Sequence, residues 1–425
     1  MGRSDALVSD RAWAGLAWAA CAGSITLFVV GVVVPAATNP YTNGFAGLYV
    51  QSKIVIEHPR DLARLNDDAW FQRQVDQSMG RHIEETGRGQ PPTTGLIALP
   101  VGWLSPARAR LVWTVISVFL WIAGLKVFAD ALSLRPFRGI PPVLWLTAAT
   151  TLYRPIAENL ARGQGYTLMF LLLCVAMRSA MRSPRSAVVG VPLGLMLILK
   201  SAGLWFCPLL AVGRRWRIIA SAVATVMLVA LFLTALAGAE AWRVYFSNAL
   251  VDMYREPSKH VTAYQTLQSL FGHLFVYERL WNPWVVADAP ALAAVLDFAV
   301  IGGVFVVSVR RQRIDSDRIG ERALTIGMFI APIVAVAPIG EGYHYVMVLP
   351  AVLIAWWWAF KARTTRRDWL ILVLCTALIC VPQRIYGSTL LRSGWTAVLA
   401  YPRVYGSLIL WAVLARVLGP RRRDP

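Results

Sequence analysis

Of 425 residues, 57% are hydrophobic and only 15% are charged, and the mean hydropathy is +0.54. Soluble domains hold about 45–50% apolar and about 25% charged residues, so this balance excludes a soluble enzyme, a fibrous protein and a disordered chain. The formal charge of +19 does not point to nucleic acid, because the basic residues fall in short clusters between apolar runs, the pattern of membrane topology.

The first apolar run, residues 12–36, exceeds the core of a cleaved signal and is predicted to be a retained helix. Further segments are predicted at 109–132, 141–153, 164–177, 187–199, 203–213, 218–238, 290–309, 323–338, 345–360, 369–385 and 397–416. The expected fold is thus an all-α membrane protein, a single integral membrane domain over 1–425 forming a polytopic bundle of about twelve segments. A cytoplasmic N-terminus puts basic clusters in every second loop, among them Arg214/Arg215/Arg217, Arg310/Arg311/Arg313, Lys361/Arg363 and Arg421–Arg423, as the positive-inside rule requires. Both termini are then cytoplasmic.

The loops 37–108 and 240–289 fall on the extracytoplasmic side. Trp70, Phe71, Trp103 and Ile54/Val55 in the first predict amphipathic helices lying on the membrane face. The rings of the second, such as Trp242, Tyr245, Trp281 and Trp284, fit an aromatic belt.

Four predicted segments are short. Two of them are joined by Arg154 to Gln164, and two by Lys200-Ser201-Ala202. Charged, non-helical backbone at membrane depth survives only where it is buried in protein or lines a wet cavity, which predicts an outward-facing polar cavity. The five cysteines sit inside apolar segments without metal-ligand spacing, and no cluster argues for a bound metal. Nucleotide-binding and Gly-x-Ser-x-Gly signatures are absent, so a reaction on that side needs a substrate already activated and delivered in the lipid.

Several motifs occur in a fixed order: Phe45-Ala46-Gly47-Leu48-Tyr49-Val50, Gln90-Pro91-Pro92 with Leu99-Pro100, and Arg162-Gly163-Gln164-Gly165-Tyr166. Lys200 follows, then Tyr264 to Gly272, and finally Ala337 to Tyr345. In this order and spacing the chain resembles glycosyltransferase family 87, membrane enzymes of the GT-C fold that use polyprenyl-phosphate sugars. The resemblance implies transfer of a hexose, most often mannose, from a polyprenyl-phosphate carrier to a glycolipid or glycan acceptor. It places the work on the extracytoplasmic side of a bacterial cytoplasmic membrane, with a carboxylate near the first helix as general base. No cofactor is expected beyond the lipid-linked donor, and no nucleic-acid partner.

The chain departs from the family where an Asp often precedes the Phe-x-x-x-Tyr stretch, since Gly44 stands there after Asn43. The replacement candidates are Glu341, beside His344 in a turn between apolar helices, and the loop carboxylates Asp67 and Asp68, with Glu57 and Asp61 nearby. Lys200, Arg154, Arg162, Lys259 and His260 are candidates for the donor phosphate. Glu158, Asn159, Gln164 and Gln268 are candidates for sugar or acceptor hydroxyls. A lipid-carrier or solute transporter, and a catalytically silent relative lacking the Asp, remain open readings.

Overall fold

The computed structural model describes residues 3–87, 89–249, 251, 257–362 and 364–419, so Arg363 and Arg421–Arg423 of the predicted clusters lie outside the described residues. Those described are helical, with isolated β-bridges and no named strand among them. Five helical stretches are long and apolar enough to cross a bilayer: α1 (Trp13–Thr38), α4 (Pro106–Ala131), α10 (Trp216–Ala237), α12 (Pro290–Arg311) and the stretch Gly342–Lys361. A sixth forms if Gly394–Ala400 and α16 (Pro402–Leu418), bent by 56°, count as one. Large apolar side chains on these helices face outward, such as Leu228 and Leu231 on α10 and Phe298 on α12, as a lipid-facing surface requires. The protein is a multi-pass membrane protein.

The short segments are short because proline and glycine punctuate them. Pro142 opens α5 (Pro142–Thr150), and Pro155 sits in the first turn of α6 (Arg154–Arg162), where its missing N–H costs nothing. Gly163, at φ +67°, ends α6 in the left-handed conformation, and α7 (Tyr166–Arg182) starts three residues on. α8 (Gly190–Lys200) is followed by α9 (Phe206–Val212). The predicted segment 323–338 is broken: α13 (Ile319–Ile330) stops before Pro332, and the chain runs on through turns to Glu341. α14 (Leu349–Lys361), entered by a 3-10 turn over Gly342–Val348, and α15 (Arg366–Ile379) complete the set.

The 37–108 segment differs from the expected surface layer. α2 (Phe45–Glu57) is buried along Phe45 to Ser52 and is packed into the protein, with Ile54 and Val55 also covered. α3 (Asp68–Met79) likewise buries Trp70 and Phe71, whereas Trp103 stands exposed. The segment covers one end of the bundle, and Thr93 and Thr94 donate to the carbonyls of Ile198 and Leu199 beside Lys200. From the second segment, α11 (Leu267–Phe275) packs on α12, and Gln265 N donates to Gly340 O at 2.7 Å. Both long segments therefore meet helix ends at the same pole as Lys200 and Glu341.

Candidate active site

The centre of this pole is the N-terminus of α2. Gly44 has φ +89° and ψ −53°, a conformation open to glycine and strained for other residues. A Cβ there would also lie 2.6 Å from Gln164 Nε2 and 3.1 Å from Arg162 O. The amides of Gly44 and Gly47 both donate to Glu85 Oε1, the second at 3.2 Å. The free N–H groups and partial positive charge of a helix N-terminus are where a carboxylate is held. Gly44→Ala is expected to lower both the unfolding temperature and the activity, and unchanged values of both in purified protein would refute the need for this backbone.

Two cations stand at this site, Lys200 acting on both Glu85 and Glu341 and Arg162 on Glu341. Lys200, the last residue of α8, donates from Nζ to Gln90 Oε1 at 3.4 Å, and Gln51 Nε2 donates to the same oxygen at 3.2 Å. Arg162, the last residue of α6, donates to Asn43 Oδ1 at 2.9 Å and to Gln383 Oε1 at 3.3 Å. Aromatic rings join the two: Lys200 Nζ is 5.9 Å from the Tyr166 ring, and the Arg162 guanidinium 5.9 Å from the Tyr343 ring. Such cation–ring contacts hold a charge without neutralising it.

The turn before α14 closes the group. Glu341 accepts from Tyr343 Oη at 2.7 Å, and its backbone N–H donates to His344 Nδ1 at 2.7 Å. Nδ1 is therefore the acceptor nitrogen, which assigns the ring proton to Nε2. His344 lies between Tyr166 and Tyr343, with centroids 4.1 and 4.6 Å away. Burial, opposed by the amides of Gly44 and Gly47, pushes the Glu85 carboxyl up to about 7, with Glu341 raising it further and Lys200 lowering it. Burial also raises Glu341, against the Tyr343 hydrogen bond and the charges of Arg162 and Lys200. Two carboxylates and two cations thus share one sheltered, low-dielectric site.

Of the sequence candidates, Lys200, Arg162, Gln164, Glu341 and His344 come together here. The others take different positions. Glu158 receives Arg403 Nη2 at 2.7 Å and Arg154 Nε at 3.4 Å, so Arg154 is a partner of Glu158. Asn159 is fully buried and its Oδ1 accepts from Tyr166 N at 3.2 Å, positioning α7. Asp67 caps α3 through Trp70 N at 2.9 Å, and Asp68 accepts from Thr86 Oγ1 at 2.8 Å, local roles at the start of that helix. Gln268, with its amide turned to satisfy both neighbours, bridges Pro338 O at 3.0 Å and Lys259 Nζ at 3.2 Å. His260 packs against Gly272, and burial, with Lys259 and His273 beside it, pushes its pKa down to about 4. It is neutral near pH 7 and supplies no positive charge to a phosphate.

Glu85, Gln90, Asn43 and Tyr166 were not chosen as site residues from the sequence. Gly44 and Gly47, spaced by three at the start of a helix, were the available signal for a carboxylate docking on bare amides.

A helical membrane protein whose buried pole gathers cations and carboxylates at helix ends is suited to handling a lipid-borne anion. Residues 90–338 match glycosyltransferase family 87, and the chain belongs to that family. A similar curated protein is the polyprenol-phosphate-mannose-dependent alpha-(1-2)-phosphatidylinositol mannoside mannosyltransferase of Mycobacterium tuberculosis (strain ATCC 25618 / H37Rv), 25% identical over 277 residues. The alignment covers 62% of this chain and 60% of that relative. No solved structure matches. The family match contains Arg162, Gln164 and Lys200 and leaves out Gly44, Glu85, Glu341 and His344.

Proposed function

We propose that the protein transfers mannose from a polyprenyl-phosphate carrier to a glycolipid or glycan acceptor, working on the extracytoplasmic side of a bacterial cytoplasmic membrane. The observation that carries this reading is the placement of Lys200 and Arg162 beside Glu85 and Glu341, with His344 between two tyrosines, in a chain of family 87. Lys200 and Arg162 meet the donor phosphate, and the developing charge on it is stabilised where bulk water is excluded. The acceptor hydroxyl gives its proton to a carboxylate while its oxygen bonds to the anomeric carbon. The bond from that carbon to the phosphate oxygen breaks, and its electron pair leaves with the polyprenyl phosphate. His344 Nε2–H and Gln164 are placed to donate to the phosphate or a sugar hydroxyl. Lys259 remains a candidate for the donor phosphate and Gln268, which bridges it to Pro338 O, for a sugar or acceptor hydroxyl.

His344→Ala removes one such donor and is expected to lower transfer about 10- to 100-fold, the value of a hydrogen bond to a charged group. The test of the function is transfer of radiolabelled hexose from synthetic polyprenyl-phosphate-mannose or polyprenyl-phosphate-glucose to membrane lipid extract by purified protein. Transfer from the mannose donor is the expected result. A protein that binds the donor and transfers neither hexose would overturn the reading in favour of a transporter or a silent relative.

A further inference from the structure

We infer that Glu85, reaching across from the 37–108 segment to the N-terminus of α2, is the general base of the transfer. The inference rests on the transferase reading above and names the residue on which that reading depends.

The geometry sets the two carboxylate oxygens apart. Both helix amides donate to Oε1, which fixes the group and its orientation. Oε2 makes no hydrogen bond among the described residues, and it is not a sealed atom, since the side chain keeps accessible surface. Gly47 leaves the room it needs: a Cβ there would stand 2.9 Å from Oε2. One oxygen is therefore held and the other has no hydrogen-bond partner among the described residues, the arrangement a base needs to take a hydroxyl proton.

Glu341 is the competing carboxylate: its Oε1 accepts from Tyr343 Oη in its own turn, a single hydroxyl where Glu85 has two helix amides, so both carboxylates are varied in the test. Its charge acts on Glu85, as does that of Lys200. The carboxyl near 7 that results is matched to work at neutral pH, ionised enough to accept a proton and basic enough to hold it. The step balances within the site. The acceptor O–H bond breaks with its proton going to Oε2, the new C–O bond forms at the anomeric carbon, and polyprenyl phosphate leaves with the electron pair of the broken bond. Gly44 then marks no loss of activity, because a residue 41 positions further along brings its carboxylate to the Gly44 amide.

The test compares native protein, Glu85→Gln and Glu341→Gln with polyprenyl-phosphate-mannose and membrane lipid extract over a range of pH, alongside donor binding and thermal unfolding. Gln keeps an oxygen for both amides, so Glu85→Gln is expected to unfold at the native temperature and to bind donor within about threefold. Its kcat is expected to fall at least about 100-fold. Native kcat/KM is expected to drop as pH falls through about 7, and Glu341→Gln, still active, to move that limb to lower pH by removing a charge that raises Glu85. Glu85→Gln turnover within threefold of native, parallel loss of donor binding, or an acidic limb unmoved in Glu341→Gln would each overturn the assignment. A native protein that binds donor and is silent at every pH overturns the transferase reading instead, which separates the two failures.

Discussion

Lys200→Met is expected to lower kcat/KM for the lipid-phosphate donor about 100- to 1000-fold, the loss seen when one preorganised donor to a developing negative charge is removed. Met keeps an unbranched apolar stem of similar length and removes the ammonium over the Tyr166 ring, so the change reports charge rather than a cavity. Lys200 has a soft hold on its surroundings: a 3.4 Å contact to Gln90 and a ring 5.9 Å away. Neither neutralises it, and the carboxylates of Glu85 and Glu341, which act on its charge, make no direct ion pair with it, so a donor phosphate would be its closest anion. Arg162 is more committed to the protein through Asn43 and Gln383, and Arg162→Gln is expected to cost about tenfold. The sign of a second effect is fixed as well: loss of Lys200 removes a charge that lowers Glu85, so the acidic limb of the surviving activity moves to higher pH. Donor titration followed by single-turnover transfer checks both. Native kcat/KM in Lys200→Met would remove Lys200 from the phosphate site.

Much of this was legible because membrane folding is governed by local composition. The apolar runs marked most of the helices, whereas the starts set by Pro155 and Pro402 fall inside a stretch expected to be non-helical and inside the expected segment 397–416. Intramembrane polar residues stood out against that background, which is why Lys200, Arg162, Gln164, Glu341 and His344 were found. The rest depended on contacts that no window of sequence contains. Asp67, Asp68 and Glu85 have similar neighbours in the chain, yet two serve the start of α3 and the third crosses to α2. Glu158 looked available for a sugar because its partner Arg403 is 245 residues away. The 37–108 segment reads as a surface layer because its rings and Ile54/Val55 lie among many charges, and nothing in that pattern reveals that α2 is buried from Phe45 to Ser52. The number of crossings was the hardest feature to read, since a short apolar helix and half of a broken span have the same composition.

Arg403→Met is expected to destabilise the protein by about 3–5 kcal/mol, the cost of leaving one member of a buried ion pair alone. Arg403 is fully buried at the start of α16 and donates to Glu158 Oε1 at 2.7 Å, Gly342 O at 2.6 Å and Val381 O at 2.9 Å. Met fills much of the volume but returns none of these bonds, so two carbonyls lose this donor and Glu158 is left with the longer contact to Arg154 at 3.4 Å. The arginine thus joins α6, α16 and the turn that carries Glu341 and His344, and a Cβ on Gly342 would already lie 2.6 Å from its Nη1. Activity is expected to fall with stability, because this side chain holds the turn through Gly342 O, together with Tyr153 on Tyr345 O and Gln265 on Gly340 O. The double variant Glu158→Leu/Arg403→Met removes both charges and is expected to recover most of the stability, since an apolar pair of similar volume replaces an ion pair at little net cost. Its activity reports what the pair does beyond folding. Thermal unfolding of the three proteins in one detergent measures the coupling, and equal destabilisation in the single and double variants would show that Glu158 is not the group Arg403 holds in place.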